Sequence, residues 1–157
     1  MEKETHMKNS INRTIFIFII FGVAHLSYSQ QPEQILKVFF EKYSNEHIDS
    51  AFKYIFNTNK YLTEGNEQVT KMKIELKEVV GKMDSFVGIE LITKKTLGES
   101  IVLYSYMLKY KRQPIRFIFT FYNNGNWVLH NFTYDLNVID ELEESVKLYF
   151  LKEVMDQ

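Results

Sequence analysis

From Pro32 onward the apolar positions follow two different periods, and the change from one to the other divides the chain. Ile35, Leu36, Phe39, Phe40 and Tyr43 recur at i, i+4 and i+8, which predicts a helix from Pro32 to about Tyr43. Ser44-Asn45 makes a break. His47–Phe56 then predicts a shorter helix, with Ile48, Ala51, Phe52 and Ile55 on one side. Asn57–Asn66 is polar, contains Gly65 and reads as a loop. Val69, Met72, Leu76, Val79, Val80 and Met83 return to the helical period, with Lys71, Lys73, Lys77 and Glu78 outside, and Asn66 is the expected cap.

After Met83 the period falls to two. Phe86–Thr93, Glu99–Tyr110, Ile115–Tyr122 and Trp127–Tyr134 read as strands rich in β-branched and aromatic residues. Gly98, Arg112-Gln113-Pro114 and Asn123-Asn124-Gly125-Asn126 supply the turns, and Asn-Gly between two such runs is a strong hairpin signal. Asn137–Gln157 reads as a further helix, its acidic Asp140, Glu141, Glu143 and Glu144 placed early, where the helix dipole favours them. Helices segregated from an antiparallel meander define an α+β fold.

A two-residue turn at Asn124-Gly125 would place Tyr104, Tyr106, Phe117, Phe119, Phe121, Val128, His130, Phe132 and Tyr134 on one face, the expected core face, with the third helix across it. The other face would still carry Ile101, Leu103, Met107, Ile118, Trp127 and Leu129. A sheet with one solvated side alternates more cleanly than this. The apolar outer face therefore calls for a cover, either a second copy of the domain or the C-terminal helix. That helix is apolar on more than one side, through Leu142, Val146, Tyr149 and Phe150 and through Leu148, Leu151 and Met155.

Composition narrows the reading. The 157 residues carry 19 Lys+Arg against 20 Asp+Glu, without the basic surplus of a dedicated nucleic-acid binder. The absence of cysteine excludes disulfides, thiolate metal sites and a cysteine nucleophile. Lys8 and Arg13 precede the apolar run Ile15–Leu26, which is shorter than the roughly 20 residues of a bilayer span. Small Ser27 and Ser29 stand before Gln30. Residues 1–29 thus read as a signal peptide and residues 30–157 as one exported domain, periplasmic or secreted from a bacterium, with no stable membrane span after cleavage. A buried N-terminal helix and a retained anchor are the alternatives.

Candidate chemistry is sparse. The expected inner face of the last three strands carries no carboxylate; its polar groups are Tyr104, Tyr106, Tyr110, His130 and Tyr134. His130 is a weak candidate for acid/base work, set against a hydrogen-bonded histidine at the sheet rim. Tyr104, Tyr106, His130 and Tyr134 are the candidate lining of a site for a small apolar ligand, set against tyrosines that belong to the core. Lys109, Lys111, Arg112 and Arg116 cluster near one hairpin end, as an anion site or as edge protection. Neither the acidic stretch nor Glu46, His47 and Asp49 has metal-site spacing, so no metal and no cofactor is expected.

The helix pair with Phe39-Phe40 and Ala51-Phe52, the strand with Phe117, Phe119 and Phe121, and the hairpin from Phe121 to Trp127 together resemble the nuclear-transport-factor-like superfamily, of the cystatin-like α+β type. The pattern spans about residues 33–135 and is similar to small exported bacterial members of unassigned function. The resemblance implies N-terminal helices packed on a curved four-stranded antiparallel meander, followed by a C-terminal helix over about residues 137–155. It also implies a short strand after the second helix, for which Tyr61-Leu62 is the only start. The superfamily holds isomerases and dehydratases that work inside the cone, and many non-catalytic binding and assembly modules that dimerise through the outer sheet face. The expected role is accordingly a non-enzymatic, homodimeric binding or assembly domain. The alternative is a small-molecule binder or a lyase/isomerase-like enzyme.

Overall fold

The computed structural model describes residues 30–45, 47–62, 65–140, 142, 143 and 147. The expected signal peptide and most of the expected C-terminal helix lie outside the described residues. Three helices come first: α1 (Pro32–Asn45), α2 (Ile48–Phe56) and α3 (Glu67–Gly81). Four strands follow: β1 (Phe86–Leu97), β2 (Ile101–Tyr110), β3 (Ile115–Asn123) and β4 (Trp127–Asp135). They form one open antiparallel sheet in the order β1-β2-β3-β4. The fold is α+β.

Local chemistry sets the helix ends. The Asn66 side chain accepts from the backbone N–H groups of Gln68 at 2.9 Å and Val69 at 3.4 Å, satisfying two donors of the first turn of α3. After α3 the chain reverses through Asp84, which adopts a left-handed φ of 64°. Aspartate tolerates that conformation because its short side chain bonds locally, and here Ser85 N–H donates to Asp84 Oδ1 at 2.6 Å. Among the described residues no strand lies between α2 and α3, and residues 57–62 are turns and bends.

The core is aromatic. Phe39 of α1 meets Phe119 edge-on at 5.1 Å, and Phe52 of α2 meets Phe132 at 5.0 Å. Phe117 and Phe119 both lie against Phe132, with ring centres 5.1 Å apart. Offset and edge-to-face rings satisfy their quadrupoles while burying large apolar area. The third helix was expected across this face, yet the rings over the middle of the sheet come from α1 and α2. α3 itself buries only Val69 and Leu76.

A four-residue loop at Lys111–Pro114 would set Tyr104 opposite Phe121; the β2–β3 loop is longer, and Tyr104 faces Phe119, two positions away. A shift of two leaves every side chain on its expected face. The β3–β4 pairing differs in a way that matters. The turn takes three residues, so Asn123 faces Trp127 and Phe121 faces Leu129. This one-place shift moves Trp127 and Leu129 to the core side. Between Thr120 and Phe121 the register shifts again at a bulge, and Phe132 returns to the core face opposite Phe119, the position a regular hairpin would give to His130. Leu129 is fully buried, and His130, the extra residue, is exposed.

Candidate functional site

The volume in which an interior ligand would sit is taken by protein. Phe39, Phe52, Phe117, Phe119 and Phe121 are all fully buried, and their rings are in mutual contact or meet those of neighbouring aromatics. Concavities instead occur around the rim.

The four candidate lining residues are not brought together. Tyr104 and Tyr106 are neighbours, with ring centres 6.4 Å apart and nearly parallel. Tyr134 stacks on Phe132 at 6.4 Å. His130 leaves the core side at the bulge, and its ring meets Tyr122 at 6.2 Å. It borders a groove of about 190 Å³ with Met72, Val69 and Gln68 of α3. A regular two-residue hairpin would turn His130 inward; the three-residue turn and the bulge turn it out.

A carboxylate does reach Tyr104, and it comes from α1 rather than from the sheet. The hydroxyl of Tyr104 donates to Glu33 Oε1, and Lys94 Nζ donates to the same oxygen at 2.5 Å. Burial pushes the Glu33 carboxyl up, but the hydrogen bonds from Lys94 and Tyr104 outweigh it and hold the group below the usual carboxylate range. Burial, then the bond to Glu33, pushes the Tyr104 hydroxyl far above its ordinary value. Tyr106, which borders a groove of about 410 Å³ with Glu33, Phe40 and Ile89, is also raised, by burial and then by the Glu33 charge. A general acid or base works best with a pKa near the operating pH. Each of these shifts moves its group away from neutrality, as expected of a structural pair. The signal for Glu33 was its position in the first turn of α1, but sequence does not say which strand end that turn meets.

A second pair joins α1 to the end of β2. The hydroxyls of Tyr43 and Tyr110 are 2.5 Å apart. Burial raises both groups, so each keeps its proton and the two share one hydrogen bond.

The basic cluster separates into individual contacts. Lys109 pairs with Glu90, and Arg112 donates to the Lys82 carbonyl at 3.1 Å, at the C-terminal end of α3. Arg116 grips Asp135 through Nε at 3.1 Å and Nη2 at 2.8 Å. Among the described residues no three His, Cys, Asp or Glu side chains are placed to hold a metal ion. Asp49 pairs instead with Lys77 at 2.5 Å and Lys73 at 3.6 Å.

The outer sheet face keeps Ile101, Leu103, Met107 and Ile118 half-buried. Beside it a concavity of about 340 Å³ is bordered by Leu91, Ile92 and Met107 and by Val138, Ile139 and Leu142 from the segment after β4. Ile139 and Leu142 are each 62% exposed and Leu91 is 53% exposed. No helix among the described residues is long and apolar enough to cross a membrane. No family model matches the chain, and no curated protein matches it.

Proposed function

We propose that this protein is an exported, non-enzymatic binding and assembly domain of the nuclear-transport-factor-like type, and that its partner is a second copy of itself. The observation that carries the reading is the apolar ground around Met107, where Leu91, Ile139 and Leu142 stay exposed beside a concavity on the outer side of the sheet. Exposed apolar groups collected at one place mark an interaction surface more often than scattered ones do. A net charge of -1 offers little long-range repulsion between copies. The pair Glu90–Lys109 beside the concavity carries both signs, which suits a self-complementary two-fold contact. Helices packed on an open, bulged antiparallel sheet support the superfamily reading, and export rests on the sequence pattern of residues 1–29.

The competing reading, a small-molecule binder or lyase/isomerase acting inside the cone, has less support. The cone is filled by phenylalanine rings, and His130 lies outside it. Sedimentation velocity of residues 30–157 over a range of concentrations tests the proposal. A dimer should form by mass action, and Leu91→Asp and Ile139→Asp should each shift the population to monomer. A protein that stays monomeric at the highest concentration refutes self-assembly.

A further inference from the structure

A cleft of about 460 Å³ opens where the exit of α2 meets the tip of the β3–β4 hairpin. One wall is the segment 57–61, and the other is formed by Asn124, Asn126 and Trp127. The volume falls in the range of roughly 300–1,000 Å³ typical of small-ligand sites, but such sites are mostly apolar. This one is bordered by Asn57, Asn124 and Asn126 together with Tyr61 and Trp127, and Lys60 Nζ lies over the Tyr61 ring.

Both walls are fixed in advance. Leu129 N–H donates to Thr58 Oγ1 at 3.0 Å, and Asn59 Nδ2 donates to the Leu129 carbonyl at 2.7 Å, so the loop is clamped to β4. At the tip Gly125 has a φ of +108°, open to glycine and strained for other residues. Its N–H donates to Asn123 Oδ1 at 3.1 Å. A cleft with prearranged walls loses less freedom on binding.

The chemistry of the lining selects a ligand class. Lys60 is the cation at this cleft, and no carboxylate lines it among the described residues. The C-terminal end of α2 lies at the cleft through its cap residue Asn57, and the partial negative charge of a helix C-terminus opposes a phosphate or carboxylate. An extended peptide would pair with the free edge of β4, but at Leu129 that edge is already occupied by Thr58 and Asn59. A primary amide both donates and accepts, which matches a hydroxyl group. An aromatic ring offers an apolar face with a polar tip, suited to the C–H face of a pyranose. We propose that this cleft binds a neutral saccharide, with Asn57, Asn124 and Asn126 on its hydroxyls and Tyr61 and Trp127 against its rings.

Trp127 is the single tryptophan of the chain, so its fluorescence reports on the cleft directly. The purified full chain, titrated with chitotetraose, cellotetraose and maltotetraose, should show a saturable change in emission with at least one of them, matched by calorimetry. Asn126 and Tyr61 are exposed, so Asn126→Ala and Tyr61→Ala should keep the circular dichroism spectrum and thermal midpoint. Each should weaken the binding about threefold to tenfold, the value of a typical hydrogen bond for Asn126 and of a ring contact for Tyr61. No saturable signal with any of the three sugars at millimolar concentration overturns the proposal. Binding that both variants leave unchanged overturns it as well, and so does a response to sodium sulfate without one to the sugars.

Discussion

Replacing Phe119 by alanine tests whether the middle of this fold is filled or hollow. The side chain is 0% exposed. Its ring meets Phe39 and Phe132 at 5.1 Å, Phe40 at 5.9 Å, Phe117 at 6.2 Å and Tyr106 at 6.3 Å. In a filled core the substitution removes a buried ring, worth about 1.5–3 kcal/mol of transfer free energy. It also leaves a void that stiff neighbouring rings cannot close. The two together come to about 3–5 kcal/mol. With a urea slope of about 2 kcal/mol/M, a loss of about 4 kcal/mol lowers the unfolding midpoint by about 2 M. Domains of this kind have about 5–15 kcal/mol in total, so the variant stays measurable or falls just below threshold. Phe119→Leu, which keeps more of the volume, should lose distinctly less and provides the reading if the alanine variant does not fold. Urea unfolding followed by circular dichroism supplies both numbers. A Phe119→Ala loss below about 1 kcal/mol would mean that the ring lines open space between helices and sheet, where a ligand could sit.

Two further outcomes follow from single contacts. Thr58→Ala removes the acceptor of the buried Leu129 N–H; an orphaned buried donor costs about 1–3 kcal/mol, and hydrogen exchange should show the Leu129 amide losing protection before its β4 neighbours. Because the folded-state pKa of Glu33 lies below its unfolded value, the unfolded chain binds more protons in the acid range, so this contribution to stability is present above the ordinary carboxylate pKa and is lost as pH falls through the lowered one. Glu33→Gln should flatten that part of the acid unfolding curve and leave the slope near neutral pH unchanged; an unaltered acid limb would show that the Lys94 and Tyr104 bonds do not favour the anion.

Among the described residues, the sequence by itself determined the three helices and four strands, because hydrophobic period, caps and turn residues act over a few neighbours. The bounds of α2 and β3 and the Asn66 cap follow from such local signals. It also determined the faces of β2 and β3, since an error of two positions leaves alternation intact. Tertiary structure decided the face of each residue in β4. Whether the Asn124–Asn126 turn takes two residues or three, and whether Leu129 or His130 turns inward, depends on what the α2 exit offers the strand edge: Thr58 and Asn59 bond Leu129 there, and Phe52 waits for Phe132 beyond it. The bulge that reconciles those two demands has no signature in nearby sequence. For the same reason neither the meeting of Glu33 with Tyr104 nor the cleft between Asn57 and Asn126 was legible in the chain. Each joins residues tens of positions apart, and only the packing of helices on the sheet brings them together.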